Sequence, residues 1–577
     1  MVNRKPTKKE SITDIIKKMD PNYSDAYKPV KWNLKKTKDS KHFTFGTWDI
    51  EAANWWDLKL IGLYDGTDYL PFTNIEDFLD IILSRKYRNW HWFAHFGGRY
   101  DVNFIFDYIR KFPEIYETSF YCSGSMVLRL TIKRGRYSCH LLDSYRLLPA
   151  KLADLTTSFN VEHKKGSIDF DKIELNEELL TYNESDCRGL YEVITKLYKK
   201  VRVQADTYAS LSMAYWKKNY LKQELLHPSD EVKEFIRAGY HGGRVEVFKH
   251  EGYDINAFDV NSMYPFCMTE RVPYLMRSKC TNIEIDDMYY GFANAIVEVP
   301  DMYIPPLPVR LDRLYFPVGR LVGTWSFEEL REAQRRGCTI IRILDGYSFY
   351  TDYLFKEFVK DLYEWKVSGD ETNRSIAKFL LNSLYGKFGQ MPEKEMYCLE
   401  RNAPEGSTPI LDANGIPTEF AKYKKISSAS HLLPHISAAI TSKARLELLK
   451  MLDERSYYCD TDSCFTTKTI PIWTKKLGSW EPQGKGHGIF FQPKLYYFEG
   501  KWKAKGINSK EQDVQKFIDG EPNVSTRHRS VKEALSKGID ACSSIEISKV
   551  YRDYQSKRAW INGKKDTRPW NIKEILK

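Results

Sequence analysis

The sequence predicts a multidomain protein of mixed α/β and α+β class, and three observations carry that expectation. The chain has 577 residues, more than one hydrophobic core holds. Over roughly the first 200 residues, strand-like runs are followed by helical ones, the order of an α/β domain. From about Gly239 a second region begins, in which two strand-like runs are separated by a long helical stretch and two β-rich excursions. Hydrophobic residues make up 42% of the chain, enough for packed interiors, which disfavours wholesale disorder.

Each element has a local reason. Residues 1 to about 40 are polar and Lys-rich, a basic arm. HFTFGTWDIEA alternates as a strand does, and KLIGLYDGTDYLPF reads as two strands around an Asp-Gly turn. Residues 75–85, 103–111 and 172–202 have helical spacing. In the second region, INAFDVNSMYPF and RSYYCDTDSCF read as strands, and about Thr351 to Lys387 as helix. The excursion at 268–345 is rich in Pro, Tyr and short β-like runs. The other, 390–427, contains an Asn414-Gly415 hairpin signal that suggests a protruding β element. The last 65 or so residues are strongly basic.

The formal charge is +11, from 88 basic and 77 acidic residues. This favours a polyanionic partner, and aromatic side chains beside basic ones favour nucleic acid in particular. The ten cysteines contain no CxxC pair, which argues against a zinc site or a disulfide framework. The start, MVNRKPTKKES, has no signal-peptide run, and no apolar run reaches membrane-spanning length. A soluble cytoplasmic monomer is expected, with no membrane contact.

Two acidic constellations carry chemistry. In DVNSMYP, Asp259 closes an apolar run, so it stands at a strand end. In YCDTDS, Asp460 and Asp462 lie at i and i+2, either on one strand face or crowding a tight turn. Carboxylates that close raise each other's pKa, a conflict that divalent cations relieve. With KFLLNSLYG and the turn before it read as helix, Arg374, Lys378, Asn382 and Tyr385 form one stripe. Two cations, an amide and a phenol suit a nucleoside triphosphate, and Lys366 lies about three turns earlier. The second constellation is N-terminal. Asp49 and Glu51 share a strand face, Asp101 follows HFGGRY, and Tyr182 and Asp186 share a helix face. Those four carboxylates converge only around cations, where an activated water would cleave a phosphodiester. The bland alternatives are solvated helix and strand faces and an Asx-rich hairpin.

DVNSMYP, KFLLNSLYG and YCDTDS, in this order, resemble the three signature motifs of family B DNA polymerases, most closely the protein-primed bacteriophage branch of tectivirus type. The resemblance implies an RNase H-like 3′–5′ exonuclease domain followed by a right-hand polymerase. It assigns metal binding to Asp259 and Asp462, with the Val260 carbonyl assisting and Asp460 as an acidic neighbour. Lys378 and Asn382 would bind the nucleotide, Tyr264 would exclude a 2′-hydroxyl, and Tyr385 would pack by the nascent pair. Lys494-Leu495-Tyr496 resembles a KxY primer-holding motif. Tyr240-His241-Gly242-Gly243-Arg244 resembles the YxGG segment between the two halves, and Lys505-Gly506 a later palm segment. The N-terminal set resembles the three exonuclease motifs, with metal at Asp49, Glu51 and Asp186. Ser144, Tyr145 and Lys165 match segments that hold single strands and assist cleavage. One position departs from the pattern. Phe96 follows His95 where the family usually has Asn, and Phe96 and Tyr100 are expected to stack on bases instead.

The implied organisation is a basic arm (1–40), exonuclease domain (41–205), first palm part (206–267), an insertion resembling terminal-protein region 1 (268–350), fingers (351–389), an insertion resembling terminal-protein region 2 (390–427), second palm part (428–510) and thumb (511–577). The expected function is DNA-directed DNA synthesis with proofreading. It would use two Mg2+ ions at the polymerase site and up to two at the exonuclease site, with Mn2+ as a substitute. Partners would be primer-template DNA, dNTPs and a priming terminal protein, in replication of a linear viral or plasmid genome. Alternatives are a primer-independent or plasmid-type relative without a terminal protein, and a catalytically silent nucleic-acid-binding protein of the same fold.

Overall fold

The computed structural model describes residues 33–37, 42–54, 56–169, 174–281, 289–427, 429–471, 476–505, 511–550 and 557–577. The basic arm expected at 1–40 lies almost wholly outside them, as does Gly506. Of the arm, Leu34 is buried and bridges to Leu225.

The N-terminal region is built on a sheet whose centre is parallel. Strand Phe45–Ala53 pairs in parallel with His91–Ala94, and that strand with Tyr137–Asp143. The expected hairpin joins Asp57–Tyr64 to Tyr69–Phe72. Its turn is fixed by Asp65 Oδ1, which accepts the amides of Thr67 and Asp68, and by Gly66 at φ 96°. Helix Ile75–Ile82 starts where the Asn74 side chain accepts the Asp77 amide. The long helix Glu177–Val201 is capped by Asn176 and lies against Phe45–Ala53 and Asp57–Tyr64.

This sheet continues into a distant part of the sequence. Strand Glu393–Leu399 pairs antiparallel with Glu117–Ser123, and Pro417–Ile426 and Thr408–Leu411 follow, giving ten strands. The Asn414-Gly415 hairpin is therefore present, but its base does not protrude freely. It covers an edge that would otherwise expose unpaired amides and carbonyls, with Tyr397 stacked on Phe120 at 4.9 Å.

The second region centres on a seven-stranded sheet. Its order is Lys501–Ala504, Leu495–Phe498, Trp480–Gln492, Glu251–Val260, Ser463–Thr466, Ser456–Asp460 and Val245–Val247. Helix Pro434–Met451 is almost entirely buried. The expected strand at DVNSMYPF ends at Val260, because Ser262 turns left-handed (φ 58°) and Met263–Met268 is helical. RSYYCDTDSCF is not one strand but a hairpin, Ser456–Asp460 and Ser463–Thr466, reversed at Thr461 (φ 65°).

The excursion after Met268 folds as a four-stranded antiparallel sheet with an unanticipated helix, Phe327–Arg335, opened by a Ser326–Glu329 capping box. The helix expected from 351 to 387 is two helices, Lys356–Ser368 and Glu371–Phe388. Gly369 is extended, a Cβ there would stand 2.3 Å from the Trp365 carbonyl, and Asp370 caps the second helix through the Asn373 amide.

The C-terminal residues expected as one unit divide. Val531, Ala534, Leu535 and Ala541 join the core of the N-terminal sheet. Residues 557–577 return to the second region instead, where the Thr567 amide donates to Phe248 and Ile572 enters the core of the four-stranded sheet.

Candidate active sites

Asp259, near the end of its strand, meets Asp462, which lies in the turn just before the neighbouring strand Ser463–Thr466. Asp259 is the register partner of Ser463, and the Val260 amide donates to the Asp462 carbonyl at 2.8 Å. The Asp259 carboxyl is pushed up to about 6, by burial first and by the Asp462 charge next. Asp462 is raised for the same first reason. A third carboxylate, Glu481, lies opposite Asp259 on the neighbouring strand and accepts from Asn261 Nδ2 at 3.0 Å. Sequence reasoning missed Glu481, Asn261 and Tyr363, whose hydroxyl accepts the other Asn261 amide hydrogen bond at 2.7 Å. Nothing local marks Glu481; only the strand pairing does.

The Asp460 carboxylate is engaged elsewhere, although its charge adds to the rise of Asp462. The turn at Thr461 sends its carboxylate away, to Lys494 Nζ at 2.6 and 2.8 Å and to the Tyr458 hydroxyl at 3.2 Å. Lys494 is thus paired with Asp460, and Tyr496 packs on Tyr458 and Phe465. On helix Glu371–Phe388, Arg374, Lys378 and Asn382 are exposed along one stripe that ends at half-buried Tyr385. Tyr385 stacks on Tyr264 at 4.3 Å. Lys366 does not extend that stripe. It belongs to the preceding helix, and its Nζ donates to Asn261 Oδ1 at 3.0 Å and Ser262 Oγ at 2.7 Å. Its pKa is lowered by burial, while Glu481 opposes and Lys378 adds to the shift, so both lysines face one site.

The loop between the two halves is only partly a surface. Tyr240 packs under Gly389, where a Cβ would come within 2.5 Å of its ring. Gly242 faces open space, but Gly243 lies against Thr461, which a Cβ would approach to 2.7 Å. Arg244, expected at a DNA surface, has its side chain turned into the interior. It is 1% exposed, ion-paired with Glu246 at 2.5 Å, and donates to the Pro305 carbonyl at 2.8 Å.

In the N-terminal region, Asp49, Glu51 and Asp186 place ligand oxygens within 4.8 Å of one another. The strand supplies Asp49 and Glu51, and the long helix supplies Asp186. Burial, then the Asp186 charge, pushes Glu51 up to about 7; Asp49 is raised well above the carboxylate range by burial and Glu51. The Lys165 ammonium bonds to Asp186 and, at 2.7 Å, to the Tyr182 hydroxyl. Asp49 and Asp186 raise the Lys165 pKa against the cost of burial. Asp101 is buried beside this group, is pushed up to about 7 by burial, and spends Oδ1 on the Ile50 amide at 2.8 Å. Asn183 was not foreseen: it donates to Glu51 Oε1 and the Asp49 carbonyl, both at 3.4 Å.

Phe96 stacks on Tyr145 at 4.2 Å, whereas Tyr100 packs on Phe104 and against His528. Ser144, expected to hold DNA, is fully buried and donates to the Ala94 carbonyl with His95 on its other side. Its hydroxyl shapes the strand end rather than a surface.

Asp49, Glu51 and Asp186 have the composition of a divalent-cation site, with close acidic oxygens that burial makes costly to ionise. Asp259 and Asp462 are two half-buried carboxyls, the first raised by burial and by the charge of the second, a conflict of the kind a cation relieves. The chain matches the family model for DNA polymerase type B, organellar and viral, over residues 81–177 and 170–469. It is 27% identical to a protein of Podospora anserina described as a probable DNA polymerase, over 79% of this chain and 48% of that one. Identity to the DNA-directed DNA polymerase of Enterobacteria phage PRD1 is 28% over 79% and 82%, and to the DNA polymerase of Bacillus phage phi29 23% over 83% and 88%. The chain spans about half or less of the fungal relatives: 48%, 48% and 41% of their lengths. The fold matches Phi29 DNA polymerase in complex with primer-template DNA and incoming nucleotides, with a TM-score of 0.71, 19% identity, and coverage of 89% of this chain and all of that one. With a family model spanning well over half its residues, this chain belongs to the type B DNA polymerases of organelles and viruses.

Proposed function

We propose that the chain is a DNA-directed DNA polymerase with a 3′–5′ proofreading exonuclease, acting on primer-template DNA and dNTPs with Mg2+. The single observation that carries this reading is the meeting of Asp259, near the end of its strand, with Asp462 in the turn that opens the neighbouring strand, beside the Lys366 and Lys378 cations. Asp259, the Val260 carbonyl and Asp462 would hold two Mg2+ ions, with Mn2+ as a substitute. Asp49, Glu51 and Asp186 would hold up to two more. When bound, such ions activate the attacking oxygen and offset charge on phosphate. The protein's own part is placement. Lys378 and Asn382 face the triphosphate from one helix stripe, while Arg374 extends the positive surface. The stacked Tyr264 and Tyr385 rings form the floor under sugar and base. Lys366 fixes the loop that follows Asp259. Lys494 reaches the primer strand from its seat on Asp460. In the editing site, Tyr182, tied to Lys165, orients water.

The exonuclease reading is supported by the three carboxylates within 4.8 Å. Phe96 and Tyr145 form an aromatic wall suited to unpaired bases. Priming by a terminal protein, in a linear viral or plasmid genome, belongs to the same reading. It is supported by the motif resemblance and by the two excursions at 268–350 and 390–427. The proposed boundaries are those expected from the sequence, except that residues 557–577 are grouped with the second region rather than with 511–550.

The test is extension of a labelled primer with magnesium and dNTPs. Asp462→Ala should abolish extension and leave degradation, and Asp49→Ala should do the reverse. Extension by Asp462→Ala would refute the polymerase site, and a chain that extends primers but never degrades single strands would refute the editing site.

A further inference from the structure

The loop His241–Arg244 carries the turn on which Asp462 stands. The Thr461 amide donates to the Arg244 carbonyl at 2.7 Å. Gly243 leaves the space that the Thr461 side chain fills. Thr461, at φ 65°, is the pivot between Asp460 and Asp462, so a shift of the loop moves the turn.

Residues of the 268–350 excursion grip this loop from two sides. On one side stands Arg445 of helix Pro434–Met451. Its Nη1 donates to the carbonyls of His241 at 2.5 Å and Gly242 at 3.1 Å. Its Nε and Nη2 both donate to Glu329 Oε1, at 2.9 and 2.7 Å. Glu329 lies in the first turn of the excursion's helix, and both side chains are at most 4% exposed. On the other side, Arg244 donates to the excursion's Pro305 carbonyl, and its guanidinium lies 4.1 Å from the Phe316 ring centre. A buried guanidinium stripped of its carboxylate is strongly unfavourable and must move or draw in water. The orientation that lets Arg445 hold two loop carbonyls therefore depends on Glu329.

We propose that Glu329 is a positioning residue for nucleotidyl transfer: through Arg445 it fixes the His241–Arg244 loop, and with it the Thr461 turn that carries Asp462. This rests on the polymerase reading and adds to it a mechanical link from the excursion to the transfer site.

The test is Glu329→Gln, which keeps the shape and removes the charge. Primer extension should lose at least about tenfold in kcat, with KM for dNTP and single-strand degradation each within about twofold of the parent. Amide hydrogen exchange over residues 458–465 should quicken, because the Thr461 amide loses its fixed acceptor. Arg445→Lys cannot span the carboxylate and both carbonyls, and should give the same selective loss. The double variant should be no worse than the weaker single. Unchanged extension, equal loss of both activities, additive losses in the double variant, or unchanged exchange at 458–465 would each overturn the proposal. The exchange result stands even if the parent protein extends no primer, an outcome that would sink the polymerase reading instead.

Discussion

Asp460 and Asp462 are two residues apart, yet the structure predicts opposite kinetic signatures for them. Asp460 accepts two hydrogen bonds from the Lys494 ammonium and one from Tyr458. Asp460→Asn keeps the shape and one acceptor but loses the charge. A dry charge-assisted bond contributes about 1.5–3 kcal/mol. The Lys494 side chain is 43% exposed and that of Asp460 19%, so screening reduces the pair to about 1 kcal/mol. That corresponds to a factor of roughly 5, and it falls on the placement of Lys494. The expected result is a primer-template half-saturation about fivefold weaker, with kcat within about twofold. Asp462→Asn instead removes a carboxylate that faces Asp259, and loses several kcal/mol of transition-state stabilisation, on the order of a thousandfold in kcat. Steady-state extension over a range of primer-template concentrations separates the two. A hundredfold fall in kcat for Asp460→Asn with unchanged half-saturation would show Asp460 to be a direct participant and refute the reasoning.

Three further outcomes follow from the geometry. Gly243→Ala sets a Cβ about 2.7 Å from Thr461, so extension should fall sharply while single-strand degradation persists; Thr461→Gly in the same chain should restore part of it. Asp107 accepts the amides of Ala541 and Cys542 at 2.8 and 2.7 Å, so Asp107→Ala leaves one buried donor unmet at about 1–3 kcal/mol, and a half-buried one at less, and limited proteolysis near residue 540 should accelerate. Glu51 and Asp101 are both pushed up to about 7, mainly by burial. The folded chain then holds protons that the unfolded chain releases near pH 4. With a chelator present, these groups should cost stability as pH rises from about 4.5 to 7. Glu51→Gln should flatten that slope in Tm, and magnesium should raise Tm most at the upper end. A parent-minus-variant difference that grows with pH in the stabilising direction would contradict the assignment.

Local signals were legible and long-range ones were not. Asp259 at a strand end, the Asp65-Gly66 turn and the stripe on helix Glu371–Phe388 follow from periodicity and turn chemistry. The break in that helical stretch was also readable, since Ser368-Gly369-Asp370 is a stop followed by a cap, but the apolar spacing on both sides masked it. Arg244 beside two glycines has the composition of a phosphate-binding loop. Its burial depends on Glu246, Pro305 and Phe316, and no spacing rule brings those together. Glu481 enters the site only through antiparallel register with Asp259. Spacing alone leaves Asp460 and Asp462 alike, and only the motif resemblance separates their roles; the left-handed turn at Thr461 is what directs the Asp460 carboxylate to Lys494.

The pairing of strand Glu393–Leu399 with Glu117–Ser123 has a consequence for how the molecule is made. A ribosome delivers Glu117–Ser123 long before its partner, so the nascent N-terminal half carries Phe120 and an unpaired strand edge until residues 393–426 emerge. Val531, Ala534 and Leu535, which seal the same core, arrive later still. The half that is translated first is therefore among the last to be completed. A fragment ending near residue 205 should be sticky rather than self-sufficient, and the order of folding should run against the order of synthesis.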